Sequence, residues 1–251
     1  AVILLSKNAA YARDTTPLDW TASAELSREV AYAINSYIDA EALGAPHRDR
    51  MEDLFEQALG HLDQWFIDES DADYAPFMFS LTADALINYY NEVEQDPRIL
   101  QKLEMGINYT WQNAWIPEDK AFFYRADNPT NDAPDLNLFL APIYEWVYQQ
   151  TGNIQYRSQA DQIFVGGVTQ AFLSQPKQFN QSYQKSFGYV AMRQTQPFQQ
   201  SQVAITQQVN MAPAEDLALA AASMLYSEQD LAVNTSGDLS PPENVSDSPD
   251  A

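Results

Sequence analysis

Acidic and aromatic residues occur together in several stretches of this chain, and that combination suits the chemistry of sugars. Residues 67–76 and 116–135 are rich in carboxylates, and residues 174–190 are rich in Tyr, Asn, Gln and Lys. Aromatic faces stack on sugar rings, while paired carboxyl groups can protonate a leaving oxygen and activate a water molecule. We therefore treat these three stretches as candidate contacts to carbohydrate.

The candidates fall into two groups. The candidate catalytic residues are acids and one tyrosine: Asp71, Asp73, Glu118, Asp119, Asp127 and Tyr124. The candidate substrate-binding residues are aromatic, amide and basic: Tyr74, Arg125, Lys177, Asn180, Tyr183 and Tyr189. A hydrolase would need two of the acids about 5–5.5 Å apart for retention, or about 6.5–9.5 Å apart for inversion. The alternative interpretation is that these are solvated loop charges and helix caps.

A polysaccharide lyase would use the same stretches differently. One of the tyrosines Tyr124, Tyr183 and Tyr189 would then serve as the base. Arg125 or Lys177 would neutralise the carboxylate of a uronate sugar. The sequence leaves hydrolase, lyase and inert binder open.

Other chemistries find less support in the residues present. The acidic run at 68–73 resembles calcium ligands but lacks the glycine and downstream glutamate of an EF-hand loop, so calcium stays a candidate and no other cofactor or metal is predicted. His47 and His61 are the only histidines, and there is no cysteine, which leaves too few ligands for a zinc site. The "VGGV" run at 165–168 lies in a helical pattern and is interpreted as a place of close helix packing.

The bulk properties exclude some partners. A formal net charge of −22 repels nucleic acid phosphates, so nucleic acid is not expected as a partner. No run of 18 apolar residues occurs, so no membrane span is predicted. Ala10-Tyr11-Ala12 resembles the cleavage site of an export signal, which slightly favours a periplasmic or secreted protein.

The candidate residues would be positioned by helices, which the spacing of apolar residues predicts. Apolar residues recur at helical spacing in six segments: 23–43, 47–66, 77–93, 97–115, 136–150 and 155–173. Only "AFFYR", at 121–125, is typical of a strand. The sequence therefore predicts an all-α protein.

The predicted helices form a repeat. Three short turns, near residues 46, 95 and 152, follow one another at intervals of about 50 to 57 residues. Long connections follow the hairpins that these turns close, at residues 67–76, 116–135 and 174–190. Because successive helices reverse direction, the long connections are expected at one end of the array, where sites are commonly found.

The chain divides by composition. We predict an N-terminal extension (1–22), a helical hairpin domain (23–193), a Gln-rich linker (194–211), a further helix (212–228) and an acidic, disordered tail (229–251).

The hairpin pattern is also similar to that of a known family. The run "NLFLAPIYEWVYQQTGNIQYRSQADQIF", at 137–164, resembles the αα-hairpin repeat of the six-hairpin glycosidase-like superfamily, the (α/α)6 toroids. "DKAFFYRADN", at 119–128, resembles the extended segments that line the cavity of such proteins. The resemblance covers about residues 47–193. Because only three full hairpins are present where a closed toroid needs six, it implies an incomplete toroid or an open array.

The resemblance implies carbohydrate handling, because known toroids include glycoside hydrolases, polysaccharide lyases and sugar epimerases. The hairpin motif is structural, so it assigns no catalytic residue. We expect a protein that binds or processes a polysaccharide, with any site at the end where the long connections meet. The competing expectation is a non-catalytic helical-repeat scaffold that binds protein or glycan.

Overall fold

A computed structural model gives the fold of residues 17–68, 74–171 and 176–194, with side chains in the last of these segments from residue 184 onward. Seven α-helices occur within these residues: α1 (Ser27–Ala42), α2 (Arg50–Phe66), α3 (Pro76–Glu92), α4 (Pro97–Ala114), α5 (Asn137–Thr151), α6 (Ile154–Gln170) and α7 (Pro176–Gln194). The six predicted helices correspond to α1–α6 with small shifts at their ends. The predicted all-α class is confirmed in that the described residues are mostly helical, although they also contain a small three-stranded sheet.

Local capping signals place the ends of several helices. Asp96 accepts a hydrogen bond from the backbone N–H of Arg98 at 2.8 Å, and Pro97 is the first residue of α4. Asn153 accepts one from Gln155 at 3.1 Å and so caps α6. Gly152 ends α5 with a φ of 72°, a left-handed conformation that glycine adopts without strain. The "TGN" sequence is thus the short turn between α5 and α6, as predicted.

The stretch at 174–190 differs from its prediction as a long connection, because α7 occupies Pro176–Gln194. Its inward positions include Lys185, Tyr189 and Arg193, which follow one another at steps of four residues. Because Lys185 and Arg193 are charged, the inward face of α7 lacks the apolar periodicity by which the other helices are predicted.

Three short strands follow α4 and form an antiparallel sheet in the order β1 (Trp115–Ile116), β2 (Ala121–Arg125) and β3 (Asn128–Asp132). The predicted strand at 121–125 coincides with β2. Phe122 pairs with Trp115 of β1, and Phe123 pairs with Asp132 of β3. Neighbouring side chains on β2 therefore point to opposite faces of the sheet.

Most of the helix contacts named here join a helix to the next but one along the chain. The helix α1 contacts α3, α3 contacts α5, and α5 contacts both α6 and α7, while α2 contacts α4. The first two long connections meet, since the backbone N–H of Ala126 donates to the carbonyl of Tyr74 at 2.9 Å. The 3-10 helix Pro134–Leu136, at the end of the second long connection, contacts α6 and α7.

The segment before α1 packs against α2 through side chains of one helical face. Gln57 Nε2 donates to the carbonyl of Leu18 at 2.7 Å, and His61 Nε2 lies 2.9 Å from the carbonyl oxygen of Thr21. His61 is completely buried. The described part of the predicted N-terminal extension is therefore held on the helical body.

Several sequence-based predictions lie outside the described residues: the export signal, the Gln-rich linker, the further helix and the acidic tail. In the parts of the chain that the structure describes, no helix has the length and apolar character needed to cross a membrane.

Candidate functional site

The sheet carries aromatic side chains on both faces. On one face, Phe122 contacts Trp115 at a ring-centroid distance of 5.0 Å and Trp111 at 6.4 Å. Trp111 and Trp115 stack nearly parallel, with centroids 4.7 Å apart and an angle of 15° between the rings. Trp111 is in the last turn of α4 and Trp115 begins β1, so the helix end and the sheet share one aromatic cluster.

This face also reaches solvent. Trp111 and Trp115 are each half-buried, and Tyr124 is 43% exposed. Tyr124 lies two residues beyond Phe122 on β2, so the alternation of the strand puts it on the Phe122 side, beside an irregularity of the β2–β3 register between Phe123 and Arg125. We call Trp111, Trp115 and Tyr124 the aromatic platform.

The other face of β2 is closed. Phe123 contacts Tyr74, whose ring also packs against Trp65, Phe66 and Tyr109. Tyr74 is only 4% exposed, and its hydroxyl bonds to Thr110 Oγ1. Burial raises the pKa of this phenol well above its usual range. Tyr74 therefore presents no ring face to a sugar, contrary to its expected role as a loop contact.

The turn between β1 and β2 is anchored to the helices by two residues. Asn137 is completely buried; its Nδ2 donates to the carbonyl of Lys120 at 2.7 Å and to that of Ile163 at 3.1 Å. Gly166 lies against the same Lys120 carbonyl, and a β-carbon there would overlap that oxygen and lie 2.8 Å from Asn137 Nδ2. A β-carbon at Gly167 would lie 2.9 Å from Leu138 of α5, so the "VGGV" run is a place of close helix packing, and Gly166 adds the close contact between α6 and the turn.

Exposed carboxylates flank the platform. Glu118 and Asp119 lie on the turn before β2, and Asp127 lies on the turn after it. Arg125 Nε is 3.4 Å from Asp127 Oδ1. The strand between the two turns is about 13 Å long at the usual rise per residue. Glu118 and Asp119 are thus held at the opposite end of β2 from Asp127.

One further acid near the sheet has a shifted pKa. Burial raises the pKa of Asp135 above its usual range, and the charge of Asp132 adds to this effect. Asp135 lies on the 3-10 helix that leads into α5, and Asp132 ends β3. A carboxyl group in this environment holds its proton more tightly than an exposed one.

The remaining candidates do not join the platform in the described structure. Tyr189 is 1% exposed, stacks on Phe164 at 4.7 Å, and donates to Asp161 Oδ1 at 2.5 Å. Burial raises the pKa of its phenol well above its usual range, and the Asp161 charge acts in the same direction. Tyr189 therefore joins α7 to α6 inside the protein and offers neither a base nor an exposed ring.

The other predicted residues lie outside what the structure describes. Asp71 and Asp73 fall in the gap between residues 68 and 74, together with most of the candidate calcium run. Lys177, Asn180 and Tyr183 belong to α7, at positions whose side chains are not described.

One group of possible metal ligands occurs among the described residues. His47, Asp49 and Glu52 each place one ligand atom within 4.8 Å of the others, and all three are exposed. His47 Nδ1 is 2.9 Å from Glu41 Oε1, and Nε2 is 2.9 Å from Glu52 Oε1. Ion pairing of a protonated imidazole accounts for this arrangement without a metal.

Sequence reasoning missed the two tryptophans. Both lie in the segment predicted as a helix, 97–115, whereas the candidate residues lie in the connections. Their spacing of four residues, 111 and 115, is the signal that could have found them, because it places both rings on one side of the chain where α4 ends.

Comparisons with protein-family models, with curated protein sequences and with solved structures find no match to this chain.

Proposed function

We propose that this protein binds a polysaccharide at the aromatic platform. The observation that carries the proposal is a group of partly exposed aromatic side chains at the end of α4 and on the sheet, in which Trp111 stacks on Trp115 and Tyr124 is 43% exposed on β2. Flat aromatic surfaces with adjacent polar groups suit sugar rings, which have apolar faces and hydroxyl edges. Amide and hydroxyl side chains are also available on β3, where Asn128, Thr130 and Asn131 are exposed.

The packing of alternate helices supports the further proposal of a partial (α/α) toroid. In an array of helical hairpins, helices of one row contact each other and their partners form a second row. The contacts α1–α3, α3–α5 and α5–α7 fit one row, and α2–α4 fits the other. The platform would then lie at the end of the array that holds the long connections.

We propose that the protein binds the polysaccharide without cleaving it, because the described acids are not placed as a catalytic pair. Glu118 and Asp119 are separated from Asp127 by the length of β2, which exceeds the roughly 5–9.5 Å between the paired carboxyl groups of glycosidases. Arg125 is adjacent to Asp127, which reduces its capacity to neutralise a uronate as a lyase would require. A hydrolase could therefore not pair Asp127 with Glu118 or Asp119.

Polysaccharide affinity tests the proposal. We would measure migration of the purified chain in native gels that contain soluble neutral polysaccharides, comparing wild type with Tyr124→Ala and Trp115→Ala. Removing a stacking ring is expected to weaken binding by at least tenfold, which corresponds to about 1.4 kcal/mol.

Tyr32→Ala is the matched control, because Tyr32 is 41% exposed on α1. It removes an equally exposed ring away from the platform and should leave binding unchanged. Equal retardation of wild type and Tyr124→Ala would contradict the proposal. Release of reducing ends or unsaturated products would contradict binding without turnover.

A scaffold that binds other proteins is the competing function. It would be favoured if no polysaccharide retards the chain and if Tyr124→Ala behaves as wild type throughout.

A further inference from the structure

The platform is flanked by carboxylates at both ends of β2. Glu118 and Asp119 are exposed on one turn, and Asp127 is exposed on the other, with the exposed Tyr124 between them. Glu118 and Asp119 outnumber the neighbouring Lys120 on their turn, whereas Asp127 lies 3.4 Å from Arg125. A ligand that lies along β2 over the aromatic rings would therefore meet negative charge chiefly at its Glu118–Asp119 end.

Positive charge near the platform is limited. The stretch from Trp115 to Asp135 contains five acids (Glu118, Asp119, Asp127, Asp132 and Asp135) and two bases (Lys120 and Arg125), a formal excess of three negative charges. Arg125 is close to Asp127, so part of its charge is used within the protein. A polysaccharide that bears carboxylate or sulfate groups would be repelled here.

We infer that the ligand of the platform is a polysaccharide whose sugars carry free amino groups. This inference rests on the proposed binding of polysaccharide at the same site. A protonated amine gains attraction from the flanking carboxylates, and it also interacts favourably with the faces of Trp and Tyr rings. Neutral sugars would use the aromatic surface alone.

The test uses two oligosaccharides with the same β-1,4-linked backbone, one of glucosamine and one of its N-acetylated form, together with an oligogalacturonate. Titration calorimetry of the whole chain at low salt is expected to give at least tenfold tighter binding of the amino form than of the acetylated form. The oligogalacturonate should bind weakest. The advantage of the amino form should shrink as salt is added, because exposed charges are screened.

Variants separate the platform from the general negative charge of the chain. Glu118→Gln with Asp119→Asn should reduce affinity for the amino form by roughly five- to tenfold and leave the acetylated form unchanged. The matched control is Glu92→Gln with Glu94→Gln, which removes the same charge from two exposed acids at the α3–α4 turn. All four positions are exposed, so both double variants should remain folded. Circular dichroism would verify that they do.

Each outcome has a definite meaning. If the control pair weakens binding as much as the platform pair, the attraction is due to overall charge and the inference is overturned. If the two sugars bind equally and Tyr124→Ala weakens both, the inference fails while polysaccharide binding stands. If no oligosaccharide binds, the proposed function and this inference fail together.

Discussion

Gly166 determines how closely the first turn of the sheet approaches α6. A β-carbon at this position would overlap the Lys120 carbonyl oxygen, which is backbone and is fixed by Asn137. Gly166→Ala is expected to destabilise the fold by about 1–3 kcal/mol, because the turn must move to admit the methyl group. Chemical denaturation would measure the change in the free energy of unfolding.

Gly60→Ala provides the comparison for this substitution. Gly60 lies inside α2, and a β-carbon added there would meet nothing within 4 Å beyond the backbone of its own helix. This variant should gain up to about 1 kcal/mol from the better helix propensity of alanine. If Gly166→Ala is equally stabilising, the turn does not depend on the close approach.

His47 joins the two ends of the α1–α2 turn, and its geometry requires a charged ring. Both ring nitrogens face carboxylates at 2.9 Å, and both can donate only in the imidazolium form. The hydrogen bond to Glu52, with the contribution of Glu41, raises the pKa of His47 above its ordinary value of 6.5. The stabilisation is therefore fully present below the unfolded pKa and is lost as pH rises through the raised folded pKa.

Two measurements would check this pH dependence. NMR titration should place the His47 pKa above 6.5, and Glu52→Gln should lower it. The Tm difference between wild type and His47→Gln should be larger near about pH 6 than near about pH 9. A pKa at or below 6.5 would show that the carboxylates do not hold the ring in the charged form.

At the scale of elements, α7 is attached through a mixture of stacking and polar contacts. Tyr189 stacks on Phe164 and donates to Asp161, while Arg193 contacts the same carboxylate at 3.0 Å. Lys185 Nζ is 2.6 Å from Asp84 Oδ1 on α3. These contacts come from one face of α7 and link it to α3 and α6.

Tyr189→Phe should weaken this attachment selectively. The substitution keeps the stacked ring and removes the donor to Asp161, so we expect a loss of about 1–2 kcal/mol. Hydrogen exchange followed by mass spectrometry should then show faster exchange in residues 184–194 than in wild type, with α4 unchanged. Tyr32→Phe, at an exposed tyrosine, should change neither region.

The difference between α6 and α7 explains which elements could be predicted. The start of α6 depends on Asn153 and the "TGN" turn, and because these signals are local, the sequence alone predicts where α6 begins. The inward positions of α7 find their partners on α3 and α6, which are distant in sequence. The burial of Tyr74 was not predicted for a related reason, because Tyr109 and Phe123, which are distant in sequence, pack on its ring together with Trp65 and Phe66.

At the site, composition predicted exposed acids, and Glu118, Asp119 and Asp127 are exposed. Their separation follows from the predicted strand at 121–125, which these acids flank, whereas β1 and β3 could not be predicted from the sequence. The aromatic platform could not be predicted either, because Trp111 and Trp115 stack only where α4 ends and β1 begins.

For the molecule as a whole, an excess of acids opposes the compact state. The chain has 35 acidic and 13 basic residues, so most carboxylates have no basic partner and repel one another. Added salt should screen this repulsion more than it weakens exposed ion pairs, which typically contribute about 0–1 kcal/mol each. We therefore expect the Tm to rise when sodium chloride increases from about 20 to about 200 mM, measured by circular dichroism at constant pH. Sucrose at matched osmolality separates screening from general stabilisation by excluded solutes, and a Tm that falls with salt would mean that the described ion pairs outweigh the unpaired acids.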